Sequence, residues 1–120
     1  MDRTFLLAGA IAGLIAVAFG AFGAHGLRGR LTPDMLAVFE TGVRYQMYHA
    51  LALLLVAALA PRLPGTAIVA AGWLFISGIV LFSGSLYVLA ATGVTALGAI
   101  TPIGGVAFLA GWAALAIAAL

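Results

Sequence analysis

The sequence predicts an all-α membrane protein whose four transmembrane helices form an antiparallel bundle, with an interfacial segment extending the second helix. Of the 120 residues, 66% are hydrophobic and only 7% are charged, whereas soluble domains are roughly 45–50% apolar. Because these few charged side chains cannot cover a water-exposed surface, most of the exterior must contact lipid. Four predominantly apolar runs each reach the roughly 20 residues that a helix needs to cross the hydrocarbon core.

The charge and cysteine counts exclude several classes of protein. Five basic residues stand against three acidic ones, and the basic residues form no cluster, which argues against a nucleic-acid-binding face. Cysteine is absent, which excludes disulfides, thiolate nucleophiles and cysteine-ligated metals. The lipid bilayer is therefore the one partner that composition predicts.

The first two spans are predicted at residues 4–24 and 33–60. The first run carries no charge and is longer than the roughly 7 to 15 apolar residues of a signal peptide, so it is expected to be a retained span. The second begins with Thr32 as a hydroxyl cap, Pro33 at the first helical position and Asp34 in the first turn. At about 1.5 Å per residue it exceeds the hydrocarbon core of about 30 Å, so its first turns should lie in the interface.

The third and fourth spans are predicted at residues 67–91 and 96–120. The third follows the break at Pro64 and Gly65, and the short connection "TGVTALG" leads to the fourth. So short a connection predicts that these two spans are antiparallel neighbours. All 120 residues are expected to form a single four-helix domain.

Small residues at regular spacing predict where the helices pack, because helices in lipid associate through close contact between small side chains. On the third span Ala70, Ser77, Gly84 and Ala91 recur at every seventh position, flanked by Ala71, Gly78, Ser85 and Thr92, which suits left-handed packing. The glycines predicted to lie at helix contacts are Gly9, Gly13, Gly20, Gly78, Gly84, Gly104 and Gly111.

Polar side chains collect in one half of the predicted bundle. Because the spans alternate in direction, the end of the first, the start of the second, the end of the third and the start of the fourth share one membrane face. The candidate ligand-binding residues on this face are His25, Tyr45, Gln46, His49, Ser85, Tyr87 and Thr101. Glu40 and Arg44, four residues apart, are predicted to form an ion pair at the interface.

Several explanations of these polar residues remain open. His49, next to Gln46, can hydrogen-bond inside the bundle, bind a ligand or proton, or ligate a metal or haem, while Tyr45 and Tyr48 are typical interfacial anchors. The sequence gives little support for a metal site, because two histidines and one nearby glutamate offer at most three ligands, from separate segments. Ser83 and Ser85 have no base partner in their own helix, and no catalytic residue is predicted.

Four segments, "GAFGAHGL", "TGVRYQMYHALALL", "LFSGSLYVLA" and "ITPIGG", resemble a family of small bacterial inner-membrane proteins known as domain of unknown function 423. The chain is similar also to the mitochondrial relatives called transmembrane protein 256. The resemblance covers essentially the whole chain and implies a four-span protein of the bacterial inner membrane with no established activity, substrate or cofactor.

Three functions compete. The favoured prediction is a non-catalytic scaffold or accessory membrane subunit that packs against itself or other subunits. The alternative is a carrier or binding protein for a small molecule, lipid or proton, with a pocket near His25, Gln46 and His49. The third is a haem or metal protein using the two histidines, although no cofactor is expected.

The arginines predict the orientation in the membrane. Arg28, Arg30 and Arg44 lie towards one face, against Arg3 and Arg62 towards the other. By the positive-inside rule the loop between the first two spans is predicted to be cytoplasmic, with both termini outside.

Overall fold

The computed structural model describes residues 3–120, apart from the side chain of Ala24, and consists of helices joined by short connections. Four helices are long and apolar enough to cross a membrane, and residues 3–120 contain no β-strand. The predicted fold class is therefore confirmed. The spans, named first to fourth below, are Thr4–Gly23, Pro33–Leu59, Ala67–Thr92 and Thr95–Ala119.

Three of the four spans change helix type along their length. The α-helices are α1 (Thr4–Ala18), α2 (Ala24–Leu27), α3 (Pro33–Leu59), α4 (Ala67–Gly78), α5 (Gly84–Thr92) and α6 (Thr101–Ala119). A π-helical segment at Phe19–Gly23 follows α1, a second at Ile79–Ser83 joins α4 to α5, and a 3₁₀ segment at Thr95–Ala99 precedes α6. The third span thus carries a wider turn next to its polar residues.

The ends of the central helices follow from local sequence. Thr32 accepts a 3.2 Å hydrogen bond from the Met35 amide and Pro33 occupies the first turn of α3, which confirms the predicted start. Gly93, at φ 71°, adopts the left-handed conformation that ends α5, a conformation that glycine reaches without a steric penalty. The polypeptide therefore turns back into the fourth span within a few residues.

The bundle is flattened, with overall dimensions of 49 × 26 × 17 Å. Consecutive spans pack against one another, so the second and third lie in the centre and the first and fourth lie outside. In the most apolar stretch of each span, 39% and 33% of the residues of the central spans are buried, against 17% in each outer span. Most of the surface of the outer spans therefore faces lipid.

The apolar half of the bundle holds the hydrophobic core. Phe75, Leu53, Ile68 and Val56 are the largest fully buried apolar side chains, and Phe5 packs against them from the first span. Phe5, Leu53, Val56 and Ile68 lie in the half away from the polar side chains, whereas Phe75 lies at its boundary, against His49. The buried core is therefore apolar and meets the polar side chains at Phe75.

Glycines bring the outer spans against the central ones. A methyl group added at Gly104 would collide with the backbone of Phe82, and one added at Gly78 would collide with the ring of Phe108. Three other predicted glycines also face neighbouring helices at short range: Gly9 meets Ala50 and Leu54, Gly20 meets Val43, and Gly111 meets Phe75. At Gly104 and Gly9, where the contact is with backbone, a larger side chain would force the helices apart, and at the other three positions a neighbouring side chain would have to shift.

The other two predicted contact glycines do not pack tightly. A methyl group at Gly13 would come no closer than 4.0 Å to Ala50, and one at Gly84 would meet nothing within 4 Å. The sequence also missed Gly72, which receives the ring of Phe5, and Gly42, which receives the ring of Tyr87. These two glycines accept aromatic rings from helices far away along the chain.

The predicted contact stripe on the third span does not face a neighbour. Ala70, Ser77 and Ala91 are exposed and Gly84 is half-buried, so the stripe faces outward. The buried positions on this span come one residue later in the sequence and include Ala71, Gly78 and Ser85. Both stripes contain small residues at the same spacing, so periodicity alone did not distinguish the inner stripe from the outer one.

Candidate functional site

Gln46 links three spans from the middle of the second. It is only 4% exposed, and its Nε2 donates a 2.8 Å hydrogen bond to the backbone carbonyl of Ala12 in the first span. Its Oε1 accepts a 2.6 Å hydrogen bond from the hydroxyl of Tyr87 in the third span. Both ends of the amide therefore have protein partners in the bundle.

His49, one turn deeper, links the second span to the fourth. Its Nδ1 donates to the carbonyl oxygen of Tyr45 at 2.7 Å, because a carbonyl can only accept. Its Nε2 accepts a 3.1 Å hydrogen bond from the indole Nε1–H of Trp112, which can only donate. These two bonds define a neutral imidazole with its proton on Nδ1.

An aromatic stack holds the His49 ring in place. The ring lies parallel to that of Phe108, with the centroids 3.5 Å apart and an angle of 5° between the planes. The Phe75 ring lies 5.6 Å from the His49 ring and 5.0 Å from the Trp112 ring, between centroids. With both nitrogens hydrogen-bonded and one face covered, a ligand or metal would have to displace Trp112 to reach Nε2.

Two serines complete the polar network. The Ser83 hydroxyl donates to the carbonyl of Gly42 at 2.7 Å, which joins the second π-helical segment to the second span. Ser85 shares a 2.6 Å hydrogen bond with the Thr101 hydroxyl and also donates to the carbonyl of Phe82 at 2.9 Å. Among residues 3–120, no buried side-chain nitrogen or oxygen lacks a hydrogen-bond partner.

The structure does not bring His25 to Gln46 and His49. His25 is exposed in α2, beyond the end of the first span. Gly23, two residues before His25, packs against Phe39, and Phe39 precedes His49 by ten residues of one helix, or about 15 Å along its axis. The two histidines therefore lie at different depths, and a single pocket containing both is not formed.

The tyrosines of the second span are partly exposed. Tyr45 is 39% exposed and stacks beside Phe82 at 4.7 Å, while Tyr48 is 53% exposed and packs 5.6 Å from Tyr45. Both rings therefore face outward beside the middle of the second span, rather than at one of its ends. Tyr87 differs, since its hydroxyl is directed inward to Gln46.

Glu40 and Arg44 do not form the predicted ion pair. Arg44 instead donates a 3.4 Å hydrogen bond to the Thr41 hydroxyl, and no carboxylate lies within ion-pair distance of it in the described part of the chain. Both charged residues are exposed. They line a hollow of about 190 Å³ together with Gly20, Phe39 and Val43.

Two larger apolar grooves open towards lipid on either side of the first span. One, of about 580 Å³, runs between the first and second spans. The other, of about 450 Å³, lies between the first span and the second and third, and Gln46 and Tyr87 contribute to its floor. Among residues 3–120 no group of three histidine, aspartate, glutamate or cysteine side chains is placed to hold a metal.

Sequence reasoning missed Trp112 and Phe108 as members of this network. Both occur in an apolar run of the fourth span, 63 and 59 residues after His49. A single indole in a poly-apolar helix is also typical of an interfacial anchor. The only available signal was that an indole N–H buried in a membrane needs an acceptor, which does not indicate which residue supplies it.

Comparison with known proteins agrees with the fold. The family described as "Protein of unknown function (DUF423)" matches residues 19–105. The chain is 54% identical over 119 residues to the UPF0382 membrane protein YwdK of Bacillus subtilis, covering 98% of this chain and 97% of that protein. It is 50% identical over 121 residues to the UPF0382 membrane protein SERP0230 of Staphylococcus epidermidis, covering 98% and 96% respectively.

A third relative, the UPF0382 membrane protein SAB0533 of Staphylococcus aureus, is 48% identical over 119 residues, covering 97% of this chain and 94% of that protein. No solved structure matches the chain. The resemblance inferred from the sequence motifs is thus confirmed, and no relative named here carries the name of an enzyme. The chain belongs to the DUF423 family, whose members are membrane proteins of unknown function.

Proposed function

We propose that this protein is a non-catalytic accessory subunit of the bacterial cytoplasmic membrane that packs against a transmembrane helix of a partner membrane protein. The observation that carries the proposal is the outward stripe of the third span, where Ala70, Ser77 and Ala91 are exposed and Gly84 borders a lipid-facing groove. Small residues at seven-residue spacing allow another helix to approach closely in lipid. No helix in the described part of the bundle packs against Ala70, Ser77 or Ala91.

The polar interior supports a structural role more than a chemical one. The amide of Gln46 and both ring nitrogens of His49 are hydrogen-bonded to protein groups. Catalysis or proton transfer at His49 would require breaking the bond from Trp112. Buried polar networks whose members are all paired typically hold helices in one arrangement.

A haem or metal role and a ligand pocket around His25 have less support. His25 and His49 lie on different elements at different depths, and the Nε2 of His49 already accepts a hydrogen bond. Lipid binding is the alternative with a specific observation in its favour, the groove between the first two spans.

Co-purification in mild detergent tests the accessory-subunit proposal. A partner should accompany the wild-type protein in fixed stoichiometry and be lost from Ser77→Leu, because a bulky side chain on the stripe prevents close approach. Ala113→Leu is the matched control, since Ala113 is also exposed but lies on the fourth span. It should retain the partner.

Three outcomes would overturn the proposal. They are a wild-type protein that is always an isolated monomer, an association that persists unchanged in Ser77→Leu, and a stripe-dependent complex that contains only copies of this chain. Circular dichroism of each variant distinguishes lost association from lost folding. The outward position of Ser77 makes misfolding unexpected.

A further inference from the structure

The groove between the first and second spans has the length and lining of an acyl-chain site. It extends from Gly9 to Phe22 on the first span, which is about 20 Å along the helix. A single leaflet contributes about half of the roughly 30 Å hydrocarbon core. The groove therefore runs through one whole leaflet, and its lining contains no charged residue.

The charged hollow lies at the headgroup end of the same groove. On the second span Glu40 and Arg44 continue the stripe that Met47, Leu51 and Leu54 form along the groove, because residues three and four apart share a helix face. Gly20, on the first span, lines the hollow, and Val17 and Ala18 line the groove beside it. The hollow and the groove are thus consecutive along one helix pair.

The order of the two charges matches a zwitterionic headgroup. Glu40 lies one turn, about 6 Å, closer to the membrane surface than Arg44. In a phospholipid bearing a terminal amine, the phosphate lies deeper than the ammonium group. A guanidinium suits a phosphate, and a carboxylate suits a primary ammonium. Arg44 hydrogen-bonds the Thr41 hydroxyl rather than Glu40, and both charged side chains are exposed beside the groove, where a headgroup can reach them.

We infer that this helix pair binds one phospholipid with a primary amine in its headgroup, of the phosphatidylethanolamine type. Arg44 pairs with the phosphate, Glu40 pairs with the ammonium, and one acyl chain lies in the groove between Gly13 and Leu51. The site is separate from the outward stripe of the third span. The inference therefore does not depend on the proposed accessory role.

Native mass spectrometry of delipidated protein with synthetic lipids tests the inference. Phosphatidylethanolamine, phosphatidylcholine and phosphatidylglycerol with identical acyl chains are supplied at equal concentration. Wild-type protein should retain phosphatidylethanolamine about tenfold better than phosphatidylcholine, because three methyl groups remove the hydrogen-bond donors that Glu40 accepts from. Equal retention of all three lipids would show bulk lipid only and would overturn the inference.

Substitutions at Arg44 and Glu40 test the headgroup contacts separately from the acyl-chain contacts. Arg44→Gln should lower phosphatidylethanolamine retention about tenfold. Glu40→Gln should remove the preference over phosphatidylglycerol, which lacks the amine but keeps the phosphate. If Arg44→Gln retains phosphatidylethanolamine as well as the wild-type protein does, or if Glu40→Gln keeps the wild-type preference for it, the assignment of that residue is wrong and the headgroup assignment fails.

Gly13→Leu tests the groove itself. A methyl carbon at Gly13 would lie 4.0 Å from the Ala50 Cβ, an ordinary van der Waals contact, and Gly13 lines the groove, so a leucine side chain at this position is expected to fill the groove. Retention of all lipids should fall in this variant. Ala113→Leu adds the same bulk to the lipid-facing surface of the fourth span and should bind like wild type; unchanged retention in Gly13→Leu would contradict the acyl-chain site.

Discussion

At the scale of single residues, the central feature is that polar side chains in the membrane are bound to one another across helices. Gln46 is the most connected of them, because it joins the Ala12 carbonyl to the Tyr87 hydroxyl. The sequence predicted that an amide and an imidazole in a membrane helix need partners. It did not predict the partners, since these come from helices more than 30 residues away.

Replacing Gln46 by Leu should destabilise the bundle by about 1–2 kcal/mol, the range of interhelical hydrogen bonds in membranes. Tyr87→Phe should cost less, because it removes one bond and leaves the bond to Ala12 intact. The free energy of unfolding in detergent, measured with a chemical denaturant, gives both values. In the double variant the losses should be less than additive, and strict additivity would mean that the two side chains do not interact.

At the scale of helices, close contact through glycine determines how the spans pair. The structure gives a physical reason for the difference between predicted glycines that pack and those that do not. Gly104 lies directly against the Phe82 backbone, whereas Gly84 has open space. The sequence identified small residues at helical spacing but did not show which of two equivalent stripes on the third span faces the bundle.

Gly104→Ala should destabilise the protein by about 1–3 kcal/mol, because the added methyl group overlaps backbone that cannot move away. The neighbouring Gly105 offers a matched control. A methyl group there would come only within 3.9 Å of the Phe82 ring, so Gly105→Ala should be neutral or slightly stabilising. Thermal unfolding in detergent compares the two, and equal effects would show that the fourth span does not pack as described.

At the scale of the whole molecule, composition and run length were sufficient to predict four antiparallel spans. The flattened cross-section was not predictable, because it depends on which helix pairs make close contacts. An even number of spans places both termini on one side of the membrane. The predicted side depends on a small arginine excess, with Arg28, Arg30 and Arg44 towards the face of the first connection and Arg3 and Arg62 towards the other.

The C-terminus is predicted to lie outside the cytoplasm, because Arg28 and Arg30 favour a cytoplasmic position for the loop between the first two spans. A reporter fused after Leu120 should therefore be located outside the cytoplasm. Substituting both arginines by glutamine should weaken or reverse this orientation. Alkaline phosphatase and green fluorescent protein fusions report complementary sides. A C-terminus that remains in the cytoplasm in the unaltered protein would contradict the proposed orientation.

The protonation state of the His49 ring in a lipid bilayer directly tests whether the polar side chains are hydrogen-bonded to one another across the helices. ¹⁵N solid-state NMR at neutral pH should show a neutral ring with the proton on Nδ1 and a hydrogen-bonded, unprotonated Nε2. Trp112→Phe should shift the Nε2 resonance and leave Nδ1 bound to the Tyr45 carbonyl. A ring protonated on Nε2, or an Nε2 resonance that is unaffected by Trp112→Phe, would contradict the closed network that this structure shows.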